Sequence, residues 1–207
     1  MYDKLREKRL RGMVSKLNKE RKRQAKKVDI LCNDLIAAQR SFIKSLDSIS
    51  FAANFYESIV GATNLDNLLN SACGLIKGEI PEATVAFFLT RNGKFAMHLF
   101  ENDKPIAMEK QKLENCFSAE LVENICRSNE VCSLERMLEM GLEVNPSYLK
   151  KISAAAVPVG QNGCSSGFVL IYREGGNKLA AERLKNIAMI MPGLSRAIQA
   201  CQVQLQN

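Results

Sequence analysis

Within the first sixty residues, apolar side chains recur from Val28 onward in alternating steps of three and four, which predicts a long helix with one apolar stripe. This stretch has no proline, and Gly12 is its only glycine, so a continuous helix is allowed. From Val28 onward nine of ten positions in the series are apolar. The spacing is typical of a coiled coil or helical bundle. It predicts a homodimer interface on this helix formed by Val28, Leu31, Leu35, Ala38, Phe42, Ile49, Tyr56 and Ile59.

The last thirty residues repeat the same spacing in a second predicted helix, about residues 179–206. Pro192 is predicted to kink it, because proline lacks the N–H that would bond to the Ala188 carbonyl. The heptad pattern again predicts a dimer interface, here formed by Leu184, Ile187, Met191, Leu194 and Ile198.

The chain between these helices has the pattern of a mixed α and β domain. Thr63 or Asn64 is suited to cap a helix that begins at Leu65, and Ser118 to cap a shorter one. The wholly apolar run 84–89 predicts a strand that is covered on both faces. Two hairpins are predicted, one around residues 91–94 and one that joins 152–159 to 167–172. The predicted organisation is a tail of residues 1–27, a bundle helix of 28–62 and a domain of 63–207.

The positive charge lies almost wholly in the tail. Residues 1–27 hold twelve Lys and Arg against three acidic residues, a net charge of +9, whereas the other 180 residues carry −2. Arg21 and Gln24 occupy positions where the apolar series would continue toward the N-terminus, although Val14 and Leu17 fit it. The tail is therefore predicted to be a frayed or partner-dependent helix. A protein partner is the preferred interpretation, with nucleic acid and an anionic membrane surface as alternatives.

The seven cysteines form no CxxC pair, and most follow apolar neighbours, so reduced thiols and a cytoplasmic location are predicted. No apolar run approaches the length that spans a bilayer, and the N-terminal residues do not form the apolar core of a secretory signal.

The order of these elements resembles the GAF family of regulatory domains, over about residues 50–207. The resemblance is carried by Asn64–Leu69, Ile80–Leu89, Ala156–Val159, Gly167–Leu170 and Leu179–Ile198. It implies an α+β fold with an antiparallel, six-stranded sheet, terminal helices on one face and shorter helices roofing the other. It also implies dimerisation through the terminal helices as a four-helix bundle.

GAF domains hold cyclic nucleotides, tetrapyrroles, haem, small metabolites or nothing, so the resemblance does not fix a ligand. No cofactor or metal is predicted. A pocket between the sheet and its roof is expected to be lined by Phe87, Leu89, Met97, Leu99, Val122, Cys126 and Val157. The same residues are equally compatible with a filled core.

Each ligand-specific motif of the family is weak or missing. Asn177-Lys178 matches two residues of the cyclic-nucleotide motif, but capping of the last helix explains the pair as well. No cysteine stands beside a histidine, as bilin attachment would need. His98, the only histidine, fits a hydrogen-bonded strand residue better than a haem ligand.

Three hypotheses for function follow. The first is a non-enzymatic, dimeric signalling or regulatory module that senses a small molecule or a partner protein. The second is a ligand-free scaffold that presents the basic helix to a protein or nucleic acid. The third is a thiol enzyme resembling free-methionine-sulfoxide reductase, for which Cys116 and Cys126 are the candidate cysteines, although the catalytic cysteine of that family is missing before the strand that begins at Ile152.

Overall fold

The computed structural model describes residues 2–91, 94–100, 116–144, 152–161, 164–174 and 178–204. The chain divides into two compact units, Met1–Ile49 and Ser50–Asn207. The predicted boundary at residue 62 therefore falls inside the second unit. The boundary between the two units falls within the first helix of the chain.

Helix α1 extends over Tyr2–Ile59, so the basic tail is helical as well. Within the first unit its apolar side chains are exposed along the whole length. Its last ten residues belong to the second unit, where Phe51 and Phe55 are buried. The prediction of a long helix is confirmed, and the helix ends three residues earlier than predicted.

The second unit contains four further helices and five strands among the described residues. The helices are α2 (Leu65–Glu79), α3 (Ala119–Ser128), α4 (Leu134–Glu139) and α5 (Ala181–Gln204). The strands are β1 (Thr84–Arg91), β2 (Lys94–Phe100), β3 (Cys132–Ser133), β4 (Ile152–Gln161) and β5 (Cys164–Glu174).

Polar side chains at the helix ends explain where three helices begin. Asn64 Oδ1 accepts a hydrogen bond from the Asp66 N–H at 2.8 Å, which caps α2 as predicted. Ser118 Oγ accepts from the Leu121 N–H at 3.2 Å and caps α3, also as predicted. Ser133 caps α4 in the same way. Each cap satisfies a backbone donor that has no partner within its helix.

The strands form one antiparallel sheet in the order β2-β1-β5-β4-β3. Both predicted hairpins are present, as the β1–β2 and β4–β5 pairs. The sixth strand that the family resemblance implies is absent from the described residues. Residues 101–115 and 145–151 lie outside them.

Both faces of the sheet are covered, and successive residues of each central strand enter different cores. On one face Val85, Phe87 and Leu89 pack with α2, α5 and the end of α1. On the other face Ala86 and Phe88 pack with α3 and α4. This period of two is what a pleated strand imposes. The apolar run in β1 therefore reflects burial on both faces, as predicted.

Gly167 allows β5 to pass unusually close to β1. Its φ is 142°, and a Cβ built on it would lie 1.8 Å from the Phe88 carbonyl oxygen. The neighbouring strand β4 shifts register between Val159 and Gly160, beside this position. No side chain is therefore compatible with the backbone at Gly167.

We expect Gly167→Ala to lower the free energy of unfolding by about 3 kcal/mol or more, because the clash is with backbone that cannot turn aside. Chemical denaturation followed by circular dichroism measures this change. Gly74→Ala is the matched control, since Gly74 lies inside α2 with nothing within 4 Å of an added Cβ. The control should stabilise by up to about 1 kcal/mol. Equal effects of the two substitutions would contradict the close approach.

Candidate functional site

A small apolar cavity lies between the sheet and the elements that cover its α3 and α4 face. Its volume is about 50 Å³. Side chains from three regions converge on it: the residues before α3, helix α4 with the loop after it, and strands β4 and β5. The lining residues are Cys116, Phe117, Leu134, Met137, Leu142, Val144, Ile152, Ala154, Leu170 and Tyr172.

An aromatic cluster beside the cavity fixes the position of Phe117. Phe88 and Phe168 stack across the β1–β5 pair with ring centroids 4.6 Å apart and an interplanar angle of 9°. Phe117 packs on both rings, at 4.9 Å from Phe88 and 5.4 Å from Phe168. Such contacts add about 0.5–1.5 kcal/mol per pair beyond apolar burial. Phe117, which lines the cavity, is thus held in place by its contacts with two residues of the sheet.

The size of the cavity limits what it holds in its present form. A volume of about 50 Å³ accommodates a group of a few atoms. Pockets for nucleotides and other drug-sized ligands are usually about 300–1,000 Å³. The cavity therefore has room for a small apolar group. Its volume is far smaller than that of a cyclic nucleotide or a tetrapyrrole.

A larger cleft of about 330 Å³ lies at the β3–β4 edge of the sheet. Glu135 and Lys178 are among its lining residues. The pKa of the Glu135 carboxyl is lowered first by the hydrogen bond from its own backbone N–H and next by the Ser133 hydroxyl. Glu135 therefore supports the start of α4, and the wholly apolar cavity is the better candidate for a ligand site.

The seven residues predicted to line one pocket are divided between the two faces of the sheet. Val122 and Met97 are buried on the α3 and α4 face, and Cys126 packs against that core. Three others, Phe87, Leu89 and Val157, are buried on the opposite face with the terminal helices. The prediction of a common lining was wrong, because an apolar run in a strand covered on both faces does not reveal which residues point to which side. Leu99 belongs to β2, and its side chain lies outside the described residues.

The cavity residues were missed for a related reason. Phe117, Met137 and Leu142 lie in short segments without a long periodic pattern. Tyr172 and Ala154 do alternate correctly along their strands, and counting in steps of two from Phe88 through its partner Phe168 would have found Tyr172.

The apolar series of α5 is buried inside the chain. Four of its predicted interface residues, Ile187, Met191, Leu194 and Ile198, are at most 2% exposed in the core beneath the sheet, and Leu184 packs against that core. They are not available to a second copy, so this part of the predicted interface was wrong. Heptad spacing identifies an apolar helix face but does not distinguish a sheet from another helix as its partner. Pro192 lies inside α5, and its predicted kink stays a prediction.

The end of α1 is also occupied within the second unit. Ile59 packs partly against the core. Tyr56 lies against α5 at Gly193, where an added Cβ would come within 2.4 Å of the ring. The remaining predicted interface residues with large side chains are exposed: Val28, Leu31, Leu35, Phe42 and Ile49. Ala38 is exposed as well.

Three of the cysteine thiols are less acidic than a free thiol. Burial raises the pKa of Cys73, an effect that Lys77 partly offsets, and burial also raises the pKa of Cys116 and Cys201. Cys132 lies 3.2 Å from the Ser128 hydroxyl inside the core. A catalytic thiol needs a lowered pKa, so these environments are typical of structural cysteines.

The other candidate ligand residues have ordinary surroundings. His98 is half-buried in β2 opposite Phe87. The Lys178 carbonyl accepts a hydrogen bond from Arg173 at 3.0 Å, and Asn177 lies outside the described residues. No group of three metal-ligating side chains occurs in the described ranges. Nor does any described helix have both the length and the apolar character needed to cross a membrane.

Comparison with solved structures identifies the fold. The GAF domain of a phosphoenolpyruvate-protein phosphotransferase from Coxiella burnetii aligns with a TM-score of 0.57 and 12% identity, over 78% of this chain and 98% of that domain. The corresponding domain from Acinetobacter gives 0.55 and 12%, over 77% and 98%. The chromophore-binding domain of a Stigmatella aurantiaca bacteriophytochrome gives 0.51 and 10%, over 74% and 60%. The chain has a GAF-type fold. No family model and no curated protein matches the sequence.

The thiols of this GAF-type chain should react with alkylating agents at very different rates near neutral pH. Cys32 is exposed on α1, whereas Cys73 and Cys201 are buried and have raised pKa values. Iodoacetamide labelling followed by mass spectrometry should show Cys32 modified first by a wide margin. Removal of that early product by Cys32→Ser is the control. Faster labelling of Cys116 than of Cys32 would contradict the shielded state of the core thiols.

Proposed function

We propose that this chain is a non-enzymatic regulatory module, in which the GAF-type unit accompanies a helix that pairs with a second copy. The fold supports this role, because the similar structures include domains of a phosphotransferase and a bacteriophytochrome. The observation that carries the proposal is the exposed apolar series of α1 between Val28 and Ile49.

This series has no cover within its own unit. Leu31, Leu35 and Phe42 are 66%, 70% and 63% exposed. Full burial of one such side chain is worth about 1.5–3 kcal/mol. Covering the whole exposed series with a partner would therefore contribute several such increments to the free energy of association. Contiguous apolar surface of this kind usually marks an interaction site.

A second copy is the occupant that the pattern fits best. Two identical helices present the same heptad positions to each other, so side chains from both fill one seam. Residues 28–49 carry Asp29, Asp34 and Asp47 against Arg40 and Lys44, a net charge of −1. Self-pairing over this range therefore meets little electrostatic repulsion.

The cavity beside Phe117 and Tyr172 is the proposed input site for a small, apolar ligand. The apolar lining favours such a group, since it offers contact area and few polar groups that would need partners. A ligand larger than the cavity of about 50 Å³ would have to displace the roof residues Met137 and Leu142. That displacement is the structural change that such a module would report.

A scaffold without a ligand is the second candidate, favoured by the small size of the cavity. In that case the chain presents its basic helix to a partner, and the GAF-type unit serves as a stable base. A thiol-dependent enzyme is disfavoured, because burial raises the pKa of Cys116 and so lowers its thiolate fraction.

The double substitution Leu35→Glu and Phe42→Glu should convert a dimer into a monomer. It places charged groups in a desolvated seam, at a cost of several kcal/mol. Sedimentation velocity measures the change. The matched control is Ile36→Glu with Ile43→Glu, because both isoleucines are exposed on α1 but lie outside the heptad series. A dimer that survives the first pair, or is lost equally with the second, would refute the seam.

Ala154→Val should fill much of the cavity, since it adds two methyl groups on a wall of the site. We expect the parent chain to gain thermal stability when small apolar compounds such as benzene or indole are added, and the variant to lose that gain. Differential scanning fluorimetry measures both. The melting temperature of the free variant is the control for damage to the fold. An unchanged ligand response in a folded variant would rule out this cavity as the site, and a parent without any response would favour the scaffold.

A further inference from the structure

The basic segment of α1, residues 2–27, carries a short apolar stripe that the homodimer seam does not include. Leu10, Met13, Val14 and Leu17 are spaced as i, i+3, i+4 and i+7, which places them on one helix face. All four are more than half exposed. This spacing is the anchor pattern of a helix that lies on a protein groove or on another helix.

The stripe is in register with the seam farther along the helix. Val14 lies fourteen residues, two heptads, before Val28, and Leu17 lies fourteen before Leu31. Between the two apolar regions the same positions are occupied by Arg21 and Gln24. A polar residue at a seam position specifies register and oligomeric state at a cost in stability, so self-pairing is less favourable here than in residues 28–49.

The positions that flank the heptad series within residues 2–27 carry a net positive charge. In the heptad frame of the seam, one flank holds Lys4, Arg11, Asn18 and Ala25, and the other holds Arg6, Met13, Glu20 and Lys27, a net charge of +3. Glu7 is held within the helix by its 2.6 Å salt bridge to Arg11. Charges at the flanks of a heptad seam select the partner, since opposite charges attract and like charges repel.

A second copy is therefore a poor occupant for this segment. In a parallel pair Arg21 of each copy would face the other, and Arg6 would approach Arg11 across the interface. In an antiparallel pair the segment, with its +9 charge, would meet residues 28–49, whose net charge is only −1. Neither arrangement supplies the carboxylates that the flanks require.

A polyanion without an apolar surface would contact only the basic residues of the segment and not its apolar stripe. Phosphates would neutralise the cations but would leave Leu10, Val14 and Leu17 uncovered. Tyr2 is the only aromatic residue in the segment, so stacking on bases is not available to the rest of it. At a lipid surface, Arg21 would lie in line with the apolar series, where it opposes insertion.

We propose that residues 2–27 dock on an acidic helical surface of another protein, which covers Leu10, Val14 and Leu17 and sets carboxylates against the flanking cations. The proposal rests on the regulatory role above, for which it names the chemistry of the output partner. The homodimer then uses residues 28–49, and the output partner uses residues 2–27.

The test uses the full chain and two synthetic helical peptides of equal length. Both have leucine at the a and d positions, one has glutamate at e and g, and the other has lysine there. Calorimetric titration should show binding of the glutamate peptide and at least about tenfold weaker binding of the lysine peptide. Equal binding of the two would overturn the proposal.

Two matched leucine variants distinguish the contribution of the apolar stripe to binding from that of the net positive charge. Leu17→Ala should weaken binding of the glutamate peptide about tenfold, because it removes a buried anchor while preserving helix propensity. Leu5→Ala should leave binding unchanged, since Leu5 is 61% exposed, close to the 69% of Leu17, but lies outside the stripe. Equal effects of the two variants would contradict the assignment of the stripe.

Two further measurements complete the test. One compares other classes of partner, and the other shows whether Leu17→Ala changes the oligomeric state. Duplex DNA and phosphatidylserine vesicles are titrated under the same salt conditions. Tighter binding to either one, insensitive to Leu17→Ala, would replace the protein partner with a polyanionic surface. Sedimentation of Leu17→Ala should still show the parent's oligomeric state. A change there would mean that the stripe belongs to self-association, which overturns the proposal independently of the peptide result.

Discussion

Burial of the central sheet on both of its faces is the constraint on which the rest of this GAF-type unit depends. Alternate residues of β1 enter two separate cores, Phe87 and Leu89 on one side and Phe88 on the other. A sheet of this kind needs helices over both faces, because each uncovered apolar side chain would lose about 1.5–3 kcal/mol. Helices α2 and α5 cover one face, and α3 with α4 cover the other.

This requirement decides which apolar helix faces remain for other molecules. The regular series of α5 is used inside the chain, with Ile187, Leu194 and Ile198 fully buried. The similar series of α1 between Val28 and Ile49 is exposed in its own unit. Two helices with the same sequence pattern thus have different roles, and the difference arises from what each one packs against.

Local chemistry was predictable from the sequence, whereas the direction of side chains was only partly so. The caps at Asn64 and Ser118 were confirmed, since a capping side chain needs only its own helix end. The strands and both hairpins were found from apolar runs and turn residues. The pocket prediction failed at Phe87, Leu89 and Val157. An apolar run without polar alternation does not show which of its residues point to which face of the sheet. The interface prediction failed in α5, because a heptad pattern does not show whether the helix packs on a sheet or on another helix.

The central claim is that residues 28–49 form the contact between two copies. Native-state hydrogen exchange, measured peptide by peptide across a dilution series, tests it most directly. The account predicts slow exchange of the amides in 28–49 at high protein concentration and faster exchange on dilution, because protection there depends on the second copy. Exchange in β1 and β5 should be independent of concentration. Fast exchange of 28–49 at every concentration, in a protein whose sheet stays protected, would contradict the account.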